Sequence, residues 1–224
     1  MKRLIVAIDG PSGAGKSTLS KLLAQKLDYI NIDTGAMYRS VALAVRQNGI
    51  DLSDDKAVDD LLQNINIRFR PGAGGDRILL NDIDVSEEIR NPEISTLTPE
   101  VAAIPAVRRA MVSRQRQLGE QGGVVLEGRD IGTVVFPQAQ VKLFLVASAG
   151  ERGRRRFEEL RAKGHDVDLA RTISEVEARD FADSQRQHSP LVQAEDAIVI
   201  DTDGLTIGQV LDRMLAVVSA RQKE

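Results

Sequence analysis

The spacing of apolar and polar positions divides the chain into short β-branched runs that alternate with stretches of helical period. Residues 4–8 form the first apolar run, and glycines follow at once. A helix is expected to start near Lys16, because Leu19, Leu22, Leu23 and Leu27 fall on one helical face. Residues 29–32 predict a second strand ending at Asp33, and residues 35–48 predict a helix closed by Gly49. Ser53 is the expected N-cap of a further helix reaching about Asn64. The middle of the chain differs. Residues 65–70, 77–80 and 84–85 read as short strands, separated by the glycine-rich stretch 71–75 and by Asn81-Asp82, both turn signals. A small antiparallel insert is expected there. Pro105 opens a helix with Val107, Ala110, Met111, Arg114 and Leu118 in step, ended by Gly119, Gly122 and Gly123. Residues 124–126 and 141–146 are further strands, 150–163 and 169–187 long helical stretches, and 197–200 another strand. Ile207, Val210, Leu211, Met214, Leu215 and Val218 make an amphipathic closing helix. Apolar strands alternating with helices predict an α/β fold with a parallel sheet.

Composition narrows the chemistry. The 224 residues suit one large domain, or a core with an inserted subdomain. A net charge of −3 argues against a polyanion binder. Arginine outnumbers lysine 22 to 8, and its planar fork suits phosphates and carboxylates. Codon bias gives the same excess, so position along the chain has to decide. There is no cysteine, which excludes disulfides, thiol nucleophiles and Cys-based zinc sites and suits a reducing cytosol. His165 and His188 are the only histidines, too few for a His-clustered metal site. Aromatic residues make up 3% with no Trp, so a stacking platform for single-stranded nucleic acid is not expected. No apolar run reaches the length of a membrane span, and the first residues lack a signal peptide's long apolar stretch and cleavage site.

The sharpest local signal is Gly10-Pro-Ser-Gly-Ala-Gly15-Lys16-Ser17, which fits the phosphate-loop pattern G-x-x-x-x-G-K-[ST] between an expected strand and an expected helix. Glycines let backbone N–H groups turn toward phosphate oxygens, and the helix adds its positive end. Lys16 can reach the β- and γ-phosphates, and Ser17 can ligate Mg²⁺. Several classes share this loop. A GTPase switch is excluded by the lack of N-K-x-D. A motor-type or regulatory ATPase stays open, since Ile198-Val-Ile-Asp201 places an acid after a strand. A small-molecule kinase needs a second, cationic site for the acceptor.

Arginines beside acids supply candidates for that site. Asp33-Thr34-Gly35-Ala36-Met37-Tyr38-Arg39 follows the second strand, and Glu127-Gly128-Arg129-Asp130 follows a later one. In parallel sheets, ligands sit at the carboxyl ends of strands. Arg179, Asp183 and Arg186 are spaced to share one face of the helix expected over 169–187. Arg152, Arg154, Arg155 and Arg156 form a dense run that reads either as a solvated face or as a lid.

With these residues in view, the chain resembles the bacterial cytidylate kinases of the nucleoside monophosphate kinase group. The matching segments are residues 8–16, 33–39, 101–105, 128–137 and Arg179-Asp180 through Arg186, extended by Pro190-Leu191 and 197–201. The resemblance implies a phosphate-loop NTPase core over 1–64, 119–148 and 188–224, a monophosphate-binding β insert over about 65–104 and a helical lid over about 149–167. It implies phosphorylation of CMP and dCMP by ATP with Mg²⁺, in a cytoplasmic monomer that needs neither nucleic acid nor membrane. Gly10, Pro11, Ser12, Gly13, Ala14, Gly15, Lys16, Ser17 and Thr18 would bind the donor. Arg39, Arg129 and Arg186 would hold the acceptor phosphate, Arg179 and Asp183 the sugar, and Arg108 and Asp130 the pyrimidine, with Thr34 and Tyr38 lining the site. Lys16, Arg39, Arg129 and the lid residue Arg155 would be catalytic; Ser17, and Asp33 through water, would hold the metal. One departure is Pro99, which stands where family members can place a serine near the base; Thr98 is the neighbouring hydroxyl. An ATPase or regulatory nucleotide-binding module, or a kinase for another small acceptor, is the alternative.

Overall fold

The computed structural model describes residues 3–70, 76–162, 164–186 and 189–223. The turn expected at 71–75, and the expected helix ends at Lys163 and Gln187, lie outside the described residues. In chain order the elements are β1 (Ile5–Asp9), α1 (Lys16–Leu27), β2 (Ile30–Asp33), α2 (Thr34–Gln47), α3 (Asp55–Asn64), β3 (Ile67–Arg70), β4 (Arg77–Leu80), β5 (Ile83–Asp84), α4 (Pro92–Ala103), α5 (Pro105–Gly119), β6 (Val124–Glu127), β7 (Val141–Val146), α6 (Ala149–Ala162), α7 (Leu169–Ser184), β8 (Ile198–Asp201) and α8 (Ile207–Gln222). They form two compact units: Met1–Asn31 with Gln121–Glu224, and Ile32–Glu120. No helix among the described residues is long and apolar enough to cross a membrane.

In the first unit a five-stranded sheet runs in the order β2-β6-β1-β7-β8, and β2 leads the chain on into the second unit. β1 pairs in parallel with β6 and with β7, and β7 with β8. Successive strand side chains point to opposite faces, yet nearly all of β1 and β6 is buried, as a parallel strand covered on both faces requires. Val6 and Ile8 of β1 meet Leu19 and Leu23 of α1, Leu143 and Leu145 of β7, and Val210, Met214 and Val218 of α8 in one apolar core. The closing helix α8 starts with a capping box between Thr206 and Gln209. The loops after β1 and β6 leave neighbouring strands at the same level, and the Gly128 N–H donates to the Ile8 carbonyl at 3.0 Å.

The second unit is built around α2, which is capped by the Asp33 carboxylate accepting from the Ala36 N–H at 2.8 Å. Met37, Val41, Leu43 and Val45 of this helix are fully or nearly fully buried. The expected antiparallel insert is present as β3-β4-β5. Its β4–β5 hairpin turns through Asn81 and Asp82, both with positive φ (+50° and +67°), as a two-residue primed turn requires.

Two local expectations are corrected, and two elements appear where none was expected. Ser53 does not cap α3: its N–H and hydroxyl both donate to Asp51, and Asp54 accepts from the Ala57 N–H instead. The sequence pattern predicts no helix over 92–103, yet α4 forms there with Pro99 inside it. Helix α7 ends at Ser184, so Arg186 lies beyond the helix rather than on its face. A single wide turn of π-helix over Ile131–Val135 follows the Gly128–Asp130 segment, where periodicity gave no element.

Candidate functional site

The loop from Gly10 to Gly15 joins β1 to α1. Gly10 has φ +145°, and a Cβ there would run into the Leu145 carbonyl, so only glycine fits. Gly15, at φ +88°, forms the N-cap of α1 and starts the helix without a side-chain cap. The first-turn N–H groups of α1 therefore carry no side-chain acceptor from the cap, the arrangement that favours an anion. Pro11 and Ser12 are partly buried and Ala14 is buried, while Gly13, Ser17 and Thr18 are exposed.

Lys16 is buried, and its ammonium donates to the Pro11 carbonyl at 2.6 Å. Burial, with the nearby Arg129 guanidinium second, pushes the ammonium down to about 7; Glu127, Asp9 and Asp183 act in the opposite sense. Asp9, at the end of β1, is also buried, and its two carboxylate oxygens accept from the N–H groups of Ile131 (2.9 Å) and Gly132 (2.7 Å). Burial raises its carboxyl to about 6 against those two bonds. Sequence reasoning missed Asp9; the available signal was an acid ending an otherwise apolar buried strand.

Two arginines of this unit converge on one acid. Arg129 Nε donates to Asp183 Oδ2 at 2.7 Å, and Arg186 pairs with Oδ1 of the same carboxylate. The Asp183 side chain is 3% exposed, against 19% and 23% for Arg129 and Arg186. Burial alone would raise the Asp183 carboxyl, but Arg129, Arg186 and Arg179 together hold it below the usual carboxylate range. Arg179 is exposed, and Asp130 is buried on the loop after β6.

The arginine run of α6 divides by burial. Arg154 and Arg156 are exposed and pair with Glu151, Glu158 and Glu159. Arg155 donates to Glu151 at 2.8 Å, to the Thr202 hydroxyl at 3.0 Å and to the Thr202 carbonyl at 2.9 Å. Arg152 is the one that meets the phosphate loop. It is buried, donates to the Ser12 carbonyl at 3.0 Å and pairs with Asp180 at 2.5 Å. Asp201, the acid that kept an ATPase open, is exposed at the end of edge strand β8 and accepts from the Asp203 N–H.

In the second unit Arg39 pairs with Asp33 at 3.0 Å, and its Nε is buried with no hydrogen-bond partner. Thr34 and Tyr38 are buried on α2, and the Arg108 guanidinium lies 5.6 Å from the centre of the Tyr38 ring. The Thr98 hydroxyl donates to the Ile94 carbonyl at 2.6 Å within α4, beside exposed Pro99.

A family model described as cytidylate kinase matches residues 6–220. A cytidylate kinase of Syntrophotalea carbinolica is 62% identical over 222 residues, covering 99% of this chain and 94% of that protein. One of Geobacter sulfurreducens is 53% identical, covering 98% of this chain and 94% of that protein. Among solved structures, a gluconokinase from Sinorhizobium meliloti aligns with a TM-score of 0.50 at 15% identity, covering 98% of this chain and 93% of that one. A shikimate kinase from Bacteroides thetaiotaomicron aligns with a TM-score of 0.50 at 14% identity, covering 96% and 98%. At such low identity these two neighbours speak for the fold alone, a parallel sheet flanked by helices. With a phosphate loop, a second arginine cluster and a family match that runs through almost the whole sequence, the chain belongs to the cytidylate kinase family.

Proposed function

We propose that this protein transfers the γ-phosphoryl group of ATP to CMP and dCMP, giving CDP and dCDP, as a cytoplasmic monomer. One observation carries the reading beyond ATP binding: the buried Asp183 carboxylate holds Arg129 and Arg186 side by side. Two guanidinium forks on one acid form a ready clamp for a phosphate dianion. An enzyme that only hydrolyses ATP has no need of it.

The reaction then follows from positioning and charge. The nucleophile is an oxygen of the CMP phosphate, already ionised at pH 7 because a phosphate monoester loses its second proton near about pH 6. No general base is required, consistent with a chain whose only histidines are His165 and His188. The loop N–H groups of 10–15 cradle the donor phosphates, and Lys16 neutralises charge on the transferred group. Arg129, Arg186 and Arg39 fix the acceptor phosphate, the unpartnered Arg39 Nε being a donor available to an anion. The reading assigns the sugar to Arg179 and Asp183, the base to Arg108 and Asp130, and the walls of the base pocket to Thr34 and Tyr38. On α6, Arg155 is assigned to the transferred group, and Arg152 joins it through its contact with Ser12.

Mg²⁺ suits this chain. Among the described residues no cluster of three acidic or histidine side chains could hold a metal, while Ser17 is exposed in the first turn of α1. That is the pattern for an ion carried mainly by nucleotide phosphates and water. Ser17 would hold it, with Asp33 acting through water. When bound, the ion neutralises β- and γ-phosphate charge.

A coupled ADP-release assay with CMP, dCMP, UMP and dTMP tests the function. CMP and dCMP are expected to accelerate ADP release strongly. ATP hydrolysis indifferent to all four favours the ATPase reading. Base choice has its own test. A carboxylate accepts from the cytosine N4 amino group and repels the uracil oxygen, a difference of about 1–3 kcal/mol. Asp130→Asn is therefore expected to narrow the CMP:UMP ratio of kcat/KM by about tenfold; equal loss on both substrates would contradict the assignment.

Lys16 gives a pH prediction. Its ammonium sits at about 7 in the protein alone, and bound phosphates raise it. The ammonium's contribution to binding is complete below the lower value and is lost as pH rises through the raised one. ATP binding at about pH 8 thus takes up protons. Titration calorimetry in buffers of different ionisation enthalpy reads this directly, and a zero proton count would rule it out.

A further inference from the structure

Asp9 has no part in the mechanism above, yet it is buried at the end of β1, where the phosphate loop begins and the segment after β6 passes. Its residue neighbour Gly10 opens the phosphate loop. Its two oxygens bind the N–H groups of Ile131 and Gly132, the residues directly after Arg129-Asp130. Gly132 packs tightly there: a Cβ on it would stand 3.2 Å from the Lys142 side chain and 3.4 Å from Asp9 Oδ2. The segment is also tied at its other end, by the Gly128 N–H to the Ile8 carbonyl at 3.0 Å. We infer that Asp9 is a positioning residue, a two-oxygen latch that fixes the loop bearing Arg129 and Asp130 against the end of β1 and so aims both side chains at the acceptor. This deepens the function proposed above and rests on it.

The carboxylate is matched to the task. Each oxygen takes one N–H. In Asp9→Asn one oxygen becomes an NH₂ group facing an N–H donor, so one latch bond is lost at almost unchanged volume. Arg129 can then swing from its position by a fraction of an ångström, a scale to which transfer chemistry is sensitive.

The test is a double-mutant cycle read separately on CMP and ATP. Asp9→Asn is expected to lower kcat/KM for CMP by about tenfold in the wild-type background and by clearly less, only the part that runs through Asp130, when Arg129 is already alanine. An equal loss in both backgrounds, or a loss confined to the ATP arm, overturns the inference. Absence of CMP phosphorylation by the wild-type protein overturns the function instead. The latch then stands or falls on a second measurement, which also serves if Asp9→Asn does not fold. In wild-type protein the amide resonances of Ile131 and Gly132 are expected to shift together with the Asp9 carboxyl carbon as it titrates near 6. The charged groups that act on Asp9 are Asp130 and Lys16, each with its own resonances to separate. Amides that ignore the Asp9 titration overturn the latch.

Discussion

Lys16→Met is expected to lower kcat by at least about 10²–10³-fold, the cost of deleting one preorganised charge at a developing anion. The folded protein should not lose stability. Lys16 is buried, and burial and Arg129 lower the pKa of its ammonium, so the charged side chain is costly to hold in the fold. Methionine is close in length and shape, and relief of burial and of the repulsion with Arg129 offsets the lost bond to the Pro11 carbonyl and the lost attraction to Glu127, Asp9 and Asp183. Steady-state kinetics and thermal unfolding together check this. A large fall in Tm would mean that Lys16 serves the fold, and an unchanged kcat would remove it from the chemistry.

Asp183→Ala should combine a functional and a structural loss. Its carboxylate is the common partner of Arg129 and Arg186, and its removal leaves two guanidinium groups facing each other with their shared counter-charge gone. Breaking one side of such a buried pair costs about 3–5 kcal/mol. Acceptor kcat/KM is expected to fall about 10²-fold or more, since the clamp loses its geometry. The pH dependence separates this from a simple packing defect. The carboxyl is held below its ordinary value, so its contribution to stability is present above about pH 4 and is lost as pH falls through the folded-state value. The stability difference between wild type and Asp183→Ala should therefore shrink on acidification. A difference constant down to about pH 2 would assign the loss to the cavity alone.

Legibility in the sequence tracked how local each signal was. The phosphate loop could be read because its glycines, lysine and serine act within eight consecutive residues, between a β-branched run and a leucine face. The parallel sheet and the antiparallel insert followed from alternation and turn residues, and the hairpin at Asn81-Asp82 formed with the backbone its residues favour. Helix α4 was hidden by Pro99, whose missing N–H removes one helical bond, while a Thr98 side chain bonded to Ile94 sits beside it. Ser53 and Asp54 are both good caps, and their competition was decided by Asp51, which takes both donors of Ser53.

Contacts between distant residues were out of reach. The residues 179, 183 and 186 looked like one helical face, yet Arg186 meets Asp183 from beyond the end of α7. That Asp183 joins Arg186 to Arg129, 54 positions away, is a property of the folded sheet. The arginine run of α6 gave no sign that Arg152 alone turns inward to Ser12. Asp9 was invisible as a functional group because its partners are backbone amides, which every sequence has.

In the proposed reaction the phosphoryl group goes from ATP to the CMP phosphate rather than to water. Phosphorus NMR of a reaction holding protein, Mg²⁺, ATP and CMP measures this directly. ADP and CDP are expected to rise together at equal rates, with inorganic phosphate absent during the early course. Inorganic phosphate rising with ADP while CMP stays intact would contradict it.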